Sequence, residues 1–207
     1  ERELVKRGAL MQKYCKNQNN INILLDHESG RGFKVTFTIN EEGESNILVI
    51  TRAPKSHNAE DLKKELNKAI KYLMNNEDEL GIIKEISFVF LFPVIEYSKD
   101  VLEEVYNTKG ELFLCGNDGF IENGEYLKND LIIFESLINS SHIIFAWGEP
   151  TSKDIRKVYE SRLHYLLKGF KVVKNNCFDL KKFYYVGTLT NQGYPRNYSS
   201  WSKNLQL

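Results

Sequence analysis

Residues 46–51 read NILVIT, an almost unbroken apolar run. A strand with one face in water alternates apolar and polar residues, whereas a strand covered on both faces does not. SFVFL (87–91) and HIIFAW (142–147) read the same way, and FYYV (183–186) follows as a last core strand. Helical patterns separate these runs. The order predicts an α/β fold of three layers, α/β/α, with a mostly parallel central sheet.

Working outward, GFKVTFTI (32–39) alternates, with Phe33, Val35, Phe37 and Ile39 on one face, and NEEGES (40–45) reads as a hairpin-type turn. After the loop RAPKSHN (52–58), Asn58 is a cap for a helix over 59–74, with Asp61 three residues on and the stripe Leu62, Leu66, Ala69, Ile70, Leu73. A short helix should start at Ser98, and residues 110–125 read as irregular. A helix over 125–139 should turn Leu127, Leu131, Phe134 and Ile138 inward. A helix over 151–169 is expected with Thr151 or Ser152 as cap and Gly169 as stop, and FKVV (170–173) as a short strand. Residues 1–30 are expected to be a helical N-terminal extension, helical from Arg2 to Tyr14, and 31–207 a single α/β domain.

The chain has 207 residues, 42 % hydrophobic and 27 % charged, which excludes disordered and collagen-like states. Lys+Arg and Asp+Glu are both 28, so binding of nucleic acid by bulk charge alone is not expected. The neutrality is uneven. Residues 151–207 hold 11 Lys/Arg against three Asp/Glu, a net of +8, leaving −8 for residues 1–150. Such polarity can make a basic face on a neutral protein, although lysines on a solvated helix do the same. Cys15, Cys115 and Cys177 are odd in number and form no CxxC pair, which fits a reducing, cytoplasmic setting and argues against a disulfide scaffold or zinc site. No apolar run is long enough for a membrane span, so no membrane partner is expected. There is no signal-peptide pattern, and the first residue is Glu, as in a trimmed chain or a piece of something longer.

Ligands of open α/β sheets bind at the carboxyl ends of the strands. Four loops should therefore gather on one edge: TRAPKSHN (51–58), FPVIEYS (92–98), WGEPTSK (147–153) and GTLTNQGYPRNYSSW (187–201). None carries GxxxxGK[ST], GxGxxG, GxSxG or HExxH, and no cofactor or metal is expected. His142 and His164 read as structural, whereas His57 in the first loop is a candidate acid/base or anion ligand.

LKNDLIIFESLINSSHIIFAWGEP (127–150) resembles the Asn-Asp, helix, strand, Trp-Gly core of the uncharacterised domain-of-unknown-function family 1643. VGTLTNQGYPRNY (186–198) is similar to that family's closing segment, and ILVITRAPKS (47–56) occupies the place of its strand plus Asn-Pro-Ser loop. The loop order also resembles that of uracil-DNA glycosylases. This implies a uracil-DNA-glycosylase-like fold and, as an activity, N-glycosidic hydrolysis. The chain departs from that pattern at Ala53-Pro54, where an Asn-Pro or acidic motif is expected, and at Asn197-Tyr198, where His-Pro is expected. Neither a positioned water nor stabilisation of a departing base is provided there.

The candidate ligand-binding residues are Arg52, His57, Asn129, Asp130, Trp147, Arg196, Asn197 and Tyr198, with catalytic residues unassigned. Arg52 and Arg196 suit a phosphate or carboxylate, Trp147 and Tyr198 a flat ring, Asp130 an arginine or a ligand hydroxyl, and Asn197 a base carbonyl. Each has a structural counterpart: an ion pair for Arg52, a helix cap for Asn129, core packing for Trp147. Tyr194 and Trp201 could join Tyr198 in a stacking platform, and Asn117 and Asp118 read as a turn. Two function classes fit. One is a nucleic-acid- or nucleotide-interacting protein, catalytically degenerate. The other is a protein-interaction or regulatory module with a vestigial pocket. A small-molecule enzyme is a third, unassigned class.

Overall fold

The computed structural model describes residues 20–176 and 181–206. Seven strands form the main sheet: β1 (Ile21–Asp26), β2 (Arg31–Thr38), β3 (Ser45–Thr51), β4 (Ile83–Phe90), β7 (His142–Ala146), β8 (Lys182–Val186) and β9 (Leu205–Gln206). A separate ribbon pairs β5 (Phe120–Glu122) with β6 (Glu125–Leu127). The helices are α1 (Ala59–Met74), α2 (Glu77–Leu80), α3 (Val101–Leu114), α4 (Asn129–Ile138) and α5 (Lys153–Asn176).

The strand order is β1-β2-β4-β3-β7-β8-β9. The inner strands β4, β3, β7 and β8 pair parallel, with Leu48 opposite Ser87 on one side and Ile143 on the other. β1/β2, β2/β4 and β8/β9 pair antiparallel. The sheet is therefore mixed, and the mostly parallel expectation holds only for these four strands. The apolar runs signalled the doubly covered centre. They carry no information on the direction of flanking strands.

β3 shows why NILVIT does not alternate. Leu48 and Ile50 pack into the core shared with α3, α4 and α5. Ile47 and Val49 pack into the opposite core, which contains the buried faces of α1 and α2. All four are at most 1 % exposed. Asn58 caps α1, its side-chain oxygen accepting from the Glu60 and Asp61 N–H groups, and the expected stripe of that helix is buried.

Several expectations are corrected. Residues 21–26 form an edge strand in the region read as a helical extension; the Arg2–Tyr14 helix lies outside the described residues. NEEGES closes no hairpin, because β4 lies between β2 and β3. Gly43 in this turn presses on β4, where a Cβ would stand 2.6 Å from Ile83 C and Lys84 N. α4 buries Ile132, Ile133 and Leu137, while Leu131 and Ile138 are more than half exposed. LIIFESLI is apolar nearly all round, so its period does not select a face. α5 runs through Gly169 to Asn176, and FKVV is helical. Gly169 is small because the Phe134 ring lies on it, where a Cβ would be 2.3 Å from Phe134 Cζ.

Candidate functional site

The four loops do meet beyond the carboxyl ends of the parallel strands. Leu91 and Phe92 N–H groups donate to the Thr51 and Arg52 carbonyls at 2.9 Å. Glu96 N–H donates to Pro54 O at 2.7 Å, and Gly148 N–H to Pro195 O at 3.0 Å. The side chains there are largely consumed by one another. Arg52 Nε and Nη2 contact the Glu96 carboxylate at 3.1 and 2.8 Å, and Nη1 donates to Glu149 O at 2.9 Å. Glu96 is 3 % exposed and also receives Lys55 Nζ at 2.9 Å. Arg52 thus compensates a buried carboxylate, its structural reading.

The two rings expected to stack a base are core. Trp147 is 3 % exposed and packs on Phe145 at 4.7 Å between centroids. Tyr198 is buried and donates its hydroxyl to the Glu65 carboxylate. Burial and the Glu65 charge push the Tyr198 phenol well above its ordinary range. Trp201 is buried as well, and Tyr194 donates to Glu160 at 3.0 Å, so the platform is dispersed. Asn197 caps the single turn Tyr198–Ser200 through Ser199 N–H and donates to Ala146 O at 3.3 Å. Arg196 Nε donates to Thr188 O at 2.9 Å, and the residue is partly exposed with no ion pair among the described residues. His57 is exposed on its loop.

The Asn129–Asp130 pair serves a different place. Asn129 is fully buried, and its Nδ2 donates to Phe90 O and Leu91 O at 2.9 and 3.3 Å. It fastens α4 to the end of β4; the cap position itself is Lys128. Asp130 pairs with Arg162 Nη1, and Arg162 Nε donates to Leu91 O at 3.2 Å. The Arg162 side chain is 4 % exposed, and its Nη2 has no partner among the described residues. A buried guanidinium is tolerable only with such compensation. These groups border a cleft of about 530 Å³ between α3, α4 and α5, lined also by Leu112, Cys115, Asn117, Lys128 and Tyr165. Burial pushes the Cys115 thiol up to about 11, so it is neutral and unreactive near pH 7.

In the sequence Arg162 stands out only as one more basic residue of 151–207. Its signal was positional: it shares the apolar stripe of α5 with Ile155, Tyr159, Leu166 and Phe170, all buried. A charge on such a stripe must be paired or must serve a site. Glu65 was hidden similarly, between Leu62 and Leu66 on α1. Nothing local marked Glu96.

The outer face of α5 is basic. Lys153, Arg156, Lys157, Lys168, Lys171 and Lys174 are exposed and make no ion pair among the described residues. The exposed acids on this helix are Asp154 and Glu160, the latter engaged by Tyr194. Among the described residues no group of three or more His, Cys, Asp or Glu is placed to hold a metal ion. No described helix is long and apolar enough to cross a membrane. Comparison of the chain with protein-family models, with curated proteins and with solved structures finds no match.

Proposed function

We propose that this protein interacts with nucleic acid by gripping the phosphate backbone with the outer face of α5, on a uracil-DNA-glycosylase-like domain of the family 1643 type that has lost catalysis. The observation that carries the reading is the set of six exposed cations between Lys153 and Lys174 that make no ion pair among the described residues, Arg156 donating to Gln192 and Lys174 lying over the Phe183 ring. At 1.5 Å per residue they extend over about 30 Å. Positioned cations of this kind bind by releasing the counterions of the polymer, whatever the net charge of the whole protein. The meeting of the four loops at one edge supports the resemblance in fold. Loss of catalysis follows from the residues that occupy that edge: Ala53 and Pro54 offer no base or water ligand, Arg52 is neutralised by Glu96, and Asn197 is a cap.

The test is fluorescence anisotropy of a labelled single-stranded oligonucleotide at low and at fourfold higher salt. If all six cations meet phosphates, the slope of log K against log salt is about −4, and affinity falls by about 300-fold over that step. Lys157→Glu/Lys168→Glu/Lys171→Glu should at least halve the slope. A salt-independent affinity, or a slope unmoved by the triple change, would overturn the reading and favour the protein-interaction module.

A further inference from the structure

We infer that the cleft between α3, α4 and α5 is a subsite for an unpaired nucleobase, entered while the backbone of the same strand lies on the α5 cations. This deepens the proposed function and rests on it. The first argument is adjacency. Lys157, Ser161, Tyr165 and Lys168 follow one another at spacings of four, four and three along α5, so they form one continuous row on its surface. The middle two line the cleft, and the outer two belong to the cation face. A strand held at both ends of this row passes the mouth of the cleft.

The second argument is the chemistry of the lining. Tyr165 and Leu112 are 53 % and 67 % exposed, unusual for large apolar side chains flanking a cleft, and they offer flat surfaces against which a ring can stack. The volume of about 530 Å³ lies within the range of small-ligand sites. Asn117 Oδ1 accepts from Asp130 N–H at 3.1 Å, which leaves its amide NH2 as a donor with no partner among the described residues. Asp130 accepts from Arg162 through one carboxylate oxygen and from the Tyr165 hydroxyl as well, and the remaining lone pairs of the carboxylate stay open to a ligand. A donor and an acceptor side by side match the edge of any planar heterocycle that carries N–H next to a carbonyl or ring nitrogen. The buried Arg162 Nη2, without a partner among the described residues, adds a second donor at the same place. Asp130 balances Arg162, and Glu111 and Lys128 in the same lining are of opposite sign, so the cleft does not demand a charged ligand, and the phosphate stays outside on the α5 lysines.

The test compares an oligo(dT) strand with an abasic strand of the same length, and adds free thymidine as a third probe. Wild-type protein should bind oligo(dT) about tenfold more tightly than the abasic strand, the scale of one stacked base. Tyr165→Ala, at an exposed position, should abolish that preference and leave the salt slope unchanged. Asn117→Asp, which keeps the acceptor for Asp130 N–H and removes the amide donor, should reduce it. The α5 triple charge reversal should weaken both strands alike and leave thymidine binding intact. Equal affinity for the two strands with the full salt slope would overturn the subsite and leave the phosphate reading standing. Thymidine binding lost in Tyr165→Ala, together with no binding of either strand, would support the cleft as a base site and overturn the phosphate reading.

Discussion

Gly169→Ala sets two known effects against each other. In the middle of a helix, alanine is favoured over glycine by about 1 kcal/mol. Here the new methyl carbon would stand 2.3 Å from Phe134 Cζ and 2.5 Å from Cε1. The ring cannot swing away freely, because it packs edge-on to Phe170 at 5.7 Å and Tyr165 at 6.5 Å. Overpacking of this kind costs about 1–3 kcal/mol. The balance is a net loss of about 1 kcal/mol, or a fall in Tm of about 3 °C for a chain of this size. The decisive measurement is a double-mutant cycle with Phe134→Ala, followed by urea unfolding and far-UV circular dichroism. Without the ring, the same Gly169→Ala change should stabilise by about 1 kcal/mol, giving a coupling of about 2 kcal/mol. If Gly169→Ala stabilises the wild-type background, or if its effect is the same in both, the contact does not explain the glycine.

Ile144, fully buried at the centre of β7, should cost about 2–5 kcal/mol on change to Ala; a loss under about 1 kcal/mol in urea unfolding would place β7 at an exposed edge. Burial holds the Glu65 carboxyl above its ordinary value of 4.5, so its contribution to stability is present below that value and is lost as pH rises through the folded-state pKa. Glu65→Gln keeps an acceptor for the Tyr198 hydroxyl, so its urea midpoint should exceed that of wild type increasingly as pH rises from about 5 to 7; parallel curves would refute the shift.

Signals confined to one element were legible in the sequence. Asn58 and the stripe of α1 are set within a few residues of chain, and the unbroken apolar runs reported strands covered on both faces. Signals that depend on a partner were not. Gly169 has the look of a helix stop until Phe134 is seen on it. Arg52 is an open cation until Glu96, 44 residues away, closes on it. The same limit explains the candidate site. Strand topology correctly brought four loops to one edge, yet the side chains there pair among themselves. Buried polar atoms without a partner among the described residues remain at both places, Trp147 Nε1 and Thr151 Oγ1 in the third loop and Asn129 Oδ1 and Arg162 Nη2 beside the cleft, where Arg162 was readable only from its place on an apolar stripe.

The placement of β4 between β2 and β3 has a consequence for synthesis. As the chain leaves the ribosome, β1 and β2 can pair at once, and β3 follows directly, but the strand that joins them is still unmade. Until Ile83–Phe90 emerges, β2 and β3 each present an unpaired backbone edge, and Phe33, Val35 and Phe37 have no lasting cover. Pairing β2 directly with β3 would be the quickest local solution, and it is a trap that must be reopened before β4 can enter. Gly43 supplies the clearance that lets the turn sit over the incoming strand. Nascent chains that stall before Ile83 are therefore the species most prone to self-association, and the segments most in need of a holding chaperone are β2 and β3.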